Sequence, residues 1–369
     1  MVPPFAFQKR ADADLAIEIA VRRSFGVYGK DLGFLPAPVG YRAMGAVQAW
    51  SDAFRLTGTE GARWADRTAD TAYEPLLLTE GIEGFVRQRC TEDFDGCFGD
   101  LPFPFWIVEH SMLYQAFWAR RGMLYEPTKA LHDLLEASDI ADDIPVGQLK
   151  IPAPAFCIVP DASTRASADL FTDAMIFEHG GGNAPGQRWL TLVFWRRKSE
   201  PDLLGRSAVL CEKLRLRVDG KYSDGPLGRA LDNISRNGAY SGGKPDEAAR
   251  KALSYVAKLL LYLSLEGAQV VHERPYSTAP RSFPGLGQRK RNERLQQIEK
   301  LYDRYLVGPA VWNEAPEMRP RTGSRETDGV RAHWRRGHFR MQPFGPAASQ
   351  RKMIFVMPTL VRPGRLSAT

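Results

Sequence analysis

The chain has 369 residues, 44% of them hydrophobic and 11% aromatic, ample for a packed core and excluding a wholly disordered protein. That length suits two or three domains, or one large domain with a subdomain. The net charge of +7 is unevenly placed: all 43 acidic residues lie in residues 1–328, against 42 basic ones, whereas residues 329–369 carry eight Arg or Lys and no acid.

The first 140 residues read as helical. Asp12 to Phe25, Tyr41 to Leu56, Glu80 to Arg89 and His110 to Arg121 each repeat apolar residues at three- and four-residue spacing. Gly96 to Pro104 breaks that pattern and is expected to be a loop. Pro127 fits the first turn of a further helix, Thr128 to Ala137.

The character changes near Pro145. Ala153 to Pro160, Ala174 to Glu178 and Trp189 to Trp195 read as strands, and His179 to Gln187 suits a wide hairpin loop between the last two. Lys244-Pro245-Asp246-Glu247 is a helix start, and the following residues are apolar on nearly all sides to Leu265, which predicts a buried helix. Gln288 to Arg294 opens a basic amphipathic helix expected to run through Tyr305. Residues 318–328 read as a linker.

The last segment contains His333-Trp334-Arg335-Arg336-Gly337-His338-Phe339-Arg340. Trp334 to Gln342 is expected to pair with the apolar strand Lys352 to Met357, closing a hairpin. Alternation then puts Trp334, Arg336, His338, Arg340 and Gln342 on one face, and His333, Arg335, Gly337, Phe339 and Met341 on the other. Side chains two apart on a strand stand about 6.5–7 Å apart, close to the phosphate spacing of a single nucleic-acid strand. The even face is therefore a candidate cationic row, and Trp334 a candidate base-stacking residue. The competing explanation is a basic edge strand that guards against aggregation. The odd spacing of His333 and His338, with no carboxylate in the segment, disfavours a shared metal, and it disfavours a two-histidine catalytic pair unless the strand bulges at Gly337.

Elsewhere the signals are weaker. The glycine-rich stretch Gly180 to Gly186 lacks the Lys-Ser/Thr of a phosphate-binding loop. His110, His132, His179 and His272 are expected to be structural histidines. Cys90, Cys97, Cys157 and Cys211 form neither a zinc knuckle nor a disulfide framework. No cofactor or metal is implied and no catalytic residue is assigned. The start of the chain has no signal-peptide core, and the most apolar run, Ala252 to Leu265, is too short for a bilayer, so a cytoplasmic bacterial protein without a membrane partner is expected.

Arg331-Ala-His-Trp-Arg-Arg-Gly-His-Phe-Arg340, followed by a loop and a strand ending in Met357-Pro-Thr-Leu-Val361, resembles the C-terminus of the type V-A anti-CRISPR protein two family. Ala332 stands where that family has proline. Ile151 to Val159 resembles, more faintly, the family's strand with Pro and Cys. The resemblance implies a protein that lowers production of a type V-A Cas effector by recognising its nascent N-terminal peptide and causing degradation of its mRNA. His333, Trp334, Arg335, Arg336, His338 and Arg340 of the basic tail would meet mRNA, the ribosome or a host ribonuclease. A groove lined by Trp189, Phe194 and Trp195 would take the peptide. The alternatives are an RNA-cleaving nuclease using Arg336 and His338, and a general nucleic-acid-binding accessory protein of a phage or plasmid. The expected fold is α+β: a helical region (1–144), an α+β core with a largely antiparallel sheet (145–317), the linker, and a basic hairpin (329–369).

Overall fold

Strands that are apolar on both faces must be covered on both faces, and this dictates the architecture. The structure, a computed structural model, describes residues 4–26, 32, 35–89, 105–160, 171–181, 184–201, 207–234, 247–310 and 333–361. Six helices come first: α1 (Pro4–Phe25), α2 (Ala37–Ala43), α3 (Ala46–Leu56), α4 (Thr59–Ala69), α5 (Pro75–Arg89) and α6 (Phe105–Ala119). There follow β1 (Met123–Pro127), α7 (Lys129–Glu136), β2 (Ser138–Ile140), β3 (Ala155–Ile158), β4 (Asp173–Gly181), β5 (Ala184–Pro201) and β6 (Ser207–Arg217). The rest comprises α8 (Leu227–Asp232), α9 (Glu247–Ser264), β7 (Val270–Glu273), α10 (Gln288–Glu299), β8 (Arg304–Val307), β9 (His333–Arg335), β10 (Gly337–Phe344), β11 (Gln350–Val356) and β12 (Thr359–Val361).

The fold is α+β. Seven strands form one sheet in the order β6-β5-β4-β3-β1-β8-β7. Its pairings are antiparallel except β3–β1 and β1–β8, which are parallel. Alternation sends Cys157, Met175, Phe177, Val193 and Trp195 into a core shared with α1 to α6. Their neighbours Phe156, Ile176, Leu192 and Phe194 enter a second core, beneath α7 and α9. The helical region is thus one layer over the sheet, and it also contains β1 and β2, which helical periodicity did not disclose. Ion pairs fasten this layer at the β6 side, Arg215–Glu74 at 2.7 Å and Lys213–Glu109. At the other side the Arg42 guanidinium of α2 lies 3.6 Å from the Tyr276 ring centroid and 4.8 Å from that of Trp118.

Several local expectations are modified. Tyr41 to Leu56 is two helices, broken at Met44 and Gly45. Thr128 is the N-cap of α7, its side chain accepting from the Leu131 N–H at 3.2 Å, and Pro127 ends β1. The basic helix α10 stops at Glu299, and Arg304 and Tyr305 belong to β8. The strands β4 and β5 extend into the expected hairpin loop as far as Gly181 and Ala184. The loop Gly96 to Pro104, the linker 318–328, Cys90 and Cys97 lie outside the described residues.

Candidate functional site

The basic hairpin is β10 paired with β11 in register, His338 opposite Val356, Arg340 opposite Ile354 and Gln342 opposite Lys352. It is built into the protein, not appended to it. Phe339 is fully buried in the second core with Met353, and its ring lies 4.7 Å from that of Phe355. The strand β10 also pairs in parallel with β2, and the Ala141 N–H donates to the Phe339 carbonyl at 3.1 Å. Gly337 is closely packed: a Cβ there would lie 3.0 Å from both Phe355 Cζ and Pro358 Cδ, so these side chains would have to give by a few tenths of an ångström to admit one.

Within β10 the alternation is clear. Gly337 and Phe339 point inward, Arg340 is exposed and His338 is half-buried. The expected single strand from Trp334 to Gln342 is however interrupted at Arg336. The strand β9 pairs with β12, in a separate two-stranded sheet, so the parity argument linking His333 to His338 does not cross the break. The side chains of His333, Trp334 and Arg335 are outside the described ones.

The outward face is less purely cationic than its sequence. Asp139 of β2 stands in register beside His338, and its carboxylate lies 3.8 Å from the Arg336 guanidinium, whose side chain is 77% exposed. Behind them Lys258 of α9 donates to the Leu135 carbonyl at 2.9 Å. Burial holds its ammonium below the usual lysine pKa, opposed by Asp139 and Glu136 and reinforced by Arg336. Arg340 differs: its guanidinium donates to Gln342 Oε1 at 2.6 Å, and among the described residues it forms no ion pair with a carboxylate. The free charge of the row is therefore concentrated at Arg340. Across the hairpin, Lys352 meets Glu266 at 2.5 Å and Arg351 meets Asp143 at 3.4 Å.

The expected peptide groove does not form from the residues assigned to it. Phe194 and Trp195 alternate along β5, so Phe194 is buried in the second core and Trp195 in the first. They cannot line one open groove. Trp189 is half-buried, flanked by the Arg215 and Arg217 guanidinium groups at 4.9 and 5.7 Å.

Three of the other histidines are buried. His179 bonds the Gly180 carbonyl at 2.8 Å and Thr191 Oγ1 at 2.9 Å, and burial pushes its pKa down to about 4. His110 is pushed down to about 3, first by burial and then by Lys213. His132 Nδ1 lies 3.1 Å from the Tyr255 hydroxyl. His272 departs from the expectation of a structural histidine: it is exposed on β7, at the end of a row of stacked rings. Its ring lies 4.2 Å from Tyr305, and Tyr305 lies 5.0 Å from Tyr125. Sequence reasoning missed this edge, although Val270-Val271 after Gly267 is the β-branched signal of a strand. Among the described residues no group of three His, Cys, Asp or Glu side chains is placed to hold a metal, and no helix is long and apolar enough to cross a membrane.

The fold and surface define an α+β protein that presents a cationic strand on a core-anchored support. Residues 125–363, from β1 through the hairpin, match the AcrVA2-like family, the anti-CRISPR type V subtype A2 family. The protein belongs to that anti-CRISPR family. The crystal structure of AcrVA2 aligns with 86% of this chain and 98% of its own, at 13% sequence identity and a TM-score of 0.44. No curated protein matches the chain.

Proposed function

We propose that the protein represses production of a type V-A Cas effector by recognising the effector's nascent N-terminal peptide and promoting degradation of the mRNA being translated. The observation that carries this reading is the family match over residues 125–363, which spans the main sheet from β1 to β8 and the whole basic hairpin. The hairpin supplies a surface for RNA, ribosome or ribonuclease, with Arg340 and Arg336 as its charged contacts, because guanidinium groups on a rigid strand match phosphate geometry.

The test is expression of the protein beside a type V-A effector gene and beside unrelated genes, with each mRNA measured. The effector mRNA is expected to fall and the others to hold. Exchanging the effector's N-terminal codons for those of an unrelated gene is expected to abolish the fall. An unchanged effector mRNA would end this reading, and RNA cleavage by the purified protein would replace it with the nuclease one.

A further inference from the structure

The strand β7 is the last of the seven-stranded sheet and among the described residues pairs only with β8. Its hydrogen-bond parity follows from one contact. The Gly308 N–H donates to the Gln269 carbonyl at 2.9 Å, and this pair is next in register to Val270 opposite Val307. Antiparallel pairs alternate between bonded and non-bonded. Val271 and Glu273 therefore bond to β8, while the N–H and C=O groups of Val270 and His272 point away from the sheet.

The side chains of this edge are also open. Val270 is 41% and Val271 59% exposed, on opposite faces. The rings of Tyr125, Tyr305 and His272 stack across three adjacent strands, 15° and 11° from parallel, and the row stops at His272. Arg274 Nε donates to His272 Nδ1 at 3.1 Å and steadies the ring. One further strand would continue both the backbone ladder and the ring row. Native edges are commonly guarded by a charge or proline within the strand. Here proline comes only after it, at Pro275, and the one charge, Glu273, is taken up by Arg304 at 2.9 Å.

We propose that the open edge of β7 takes up an extended apolar peptide as an added strand, with a flat side chain of the peptide stacked on His272. The identity of that peptide as the effector's nascent N-terminus rests on the functional reading above; the site rests on the edge itself. A second copy of this chain is a poorer occupant. Stable interfaces between folded partners bury about 1,200 Å² or more, which a four-residue edge does not supply. A peptide needs only the backbone bonds and the flanking side-chain contacts.

The experiment is titration of the full chain with a labelled synthetic peptide of the effector's N-terminal segment, followed by anisotropy and residue-resolved amide hydrogen exchange. The Val270 and His272 amides are expected to exchange freely alone and to become protected with peptide, whereas the Val271 amide is protected in both states. Val270→Pro removes an outward donor without touching the β8 ladder and is expected to weaken binding about tenfold at an unchanged unfolding midpoint. His272→Ala is expected to weaken it about 2- to 12-fold.

Peptide binding that leaves the Val270 and His272 amides unprotected would overturn the site while leaving the functional reading intact. So would N-terminal-codon-dependent loss of mRNA with no peptide binding. Protection that rises with protein concentration without peptide would identify self-association instead. If the mRNA does not fall, the functional reading fails, and the exchange data still decide whether the edge accepts a peptide.

Discussion

Replacing Phe339 with alanine tests whether the basic hairpin is part of the folded core. Phe339 is fully buried, packs 4.7 Å from Phe355, and lies on a strand paired on both sides, to β11 and to β2. Truncating a buried phenylalanine removes its transfer free energy and leaves a ring-sized cavity, costing about 3–5 kcal/mol. Denaturant unfolding of the wild type and of Phe339→Ala measures the difference, and amide exchange across β10 and β11 locates it. Exchange should accelerate in these two strands and in β2 before it does in β4 and β5. A loss below about 1 kcal/mol, the size of an ordinary surface effect, would refute the argument and return the hairpin to the status of a loose tail.

Three further outcomes are expected. Arg336→Ala combined with Arg340→Ala should change stability by no more than about 0.5 kcal/mol. If each contacts one phosphate of a single strand, the pair should flatten the salt dependence of RNA binding by about 1.4 in log–log slope, about 0.7 from each, and an unchanged slope would remove the row from the interface. His179 has a folded pKa of about 4 against an ordinary 6.5, so its contribution is fully present above pH 6.5 and is lost as pH falls toward 4. At pH 5 that amounts to about 2 kcal/mol, and His179→Gln should flatten stability against pH between 6.5 and 5; identical slopes would contradict this. Gly308→Ala should cost about 2 kcal/mol or more in denaturant unfolding, because φ is +98° there and a Cβ would come 2.5 Å from Leu131 Cβ; a neutral substitution would count against this packing of β8 on α7.

What the sequence disclosed followed the strength of local periodicity. The helix α9 is apolar on nearly every side, and most of it is buried in the second core. Alternation in Gly337 to Arg340 disclosed which side chains face out. Short elements did not announce themselves. The residues Arg304–Val307 continue a helical pattern by spacing alone and became a strand through pairing with β1 and β7, partners far away in sequence. The helix α4 was passed over because Trp64 is its one large buried residue. The peptide groove failed for a definite reason: Phe194 and Trp195 are adjacent on a strand, so a two-sided core divides them. The charge estimate for the hairpin erred likewise, since Asp139 reaches His338 and Arg336 only through the β2–β10 pairing.

The two candidate surfaces are neighbours, and this bears on how recognition of a peptide and contact with a polyanion would be linked. Lys352 stands opposite Gln342 and so shares the outward face of Arg340. It meets Glu266, in the turn that follows α9, four residues before Val270. An exposed pair of this kind adds little stability, but it marks where the hairpin face meets the turn after α9. Four residues of extended chain reach at most about 14 Å, so the end of the hairpin face and the start of the open edge lie within that distance plus the length of the Lys352–Glu266 pair. The first core stays on the far side of the sheet from α9, and neither surface requires it to move. A peptide added to β7 would therefore run past Val270, which stands at most about 14 Å along the chain from Glu266, the residue that Lys352 of the hairpin face meets.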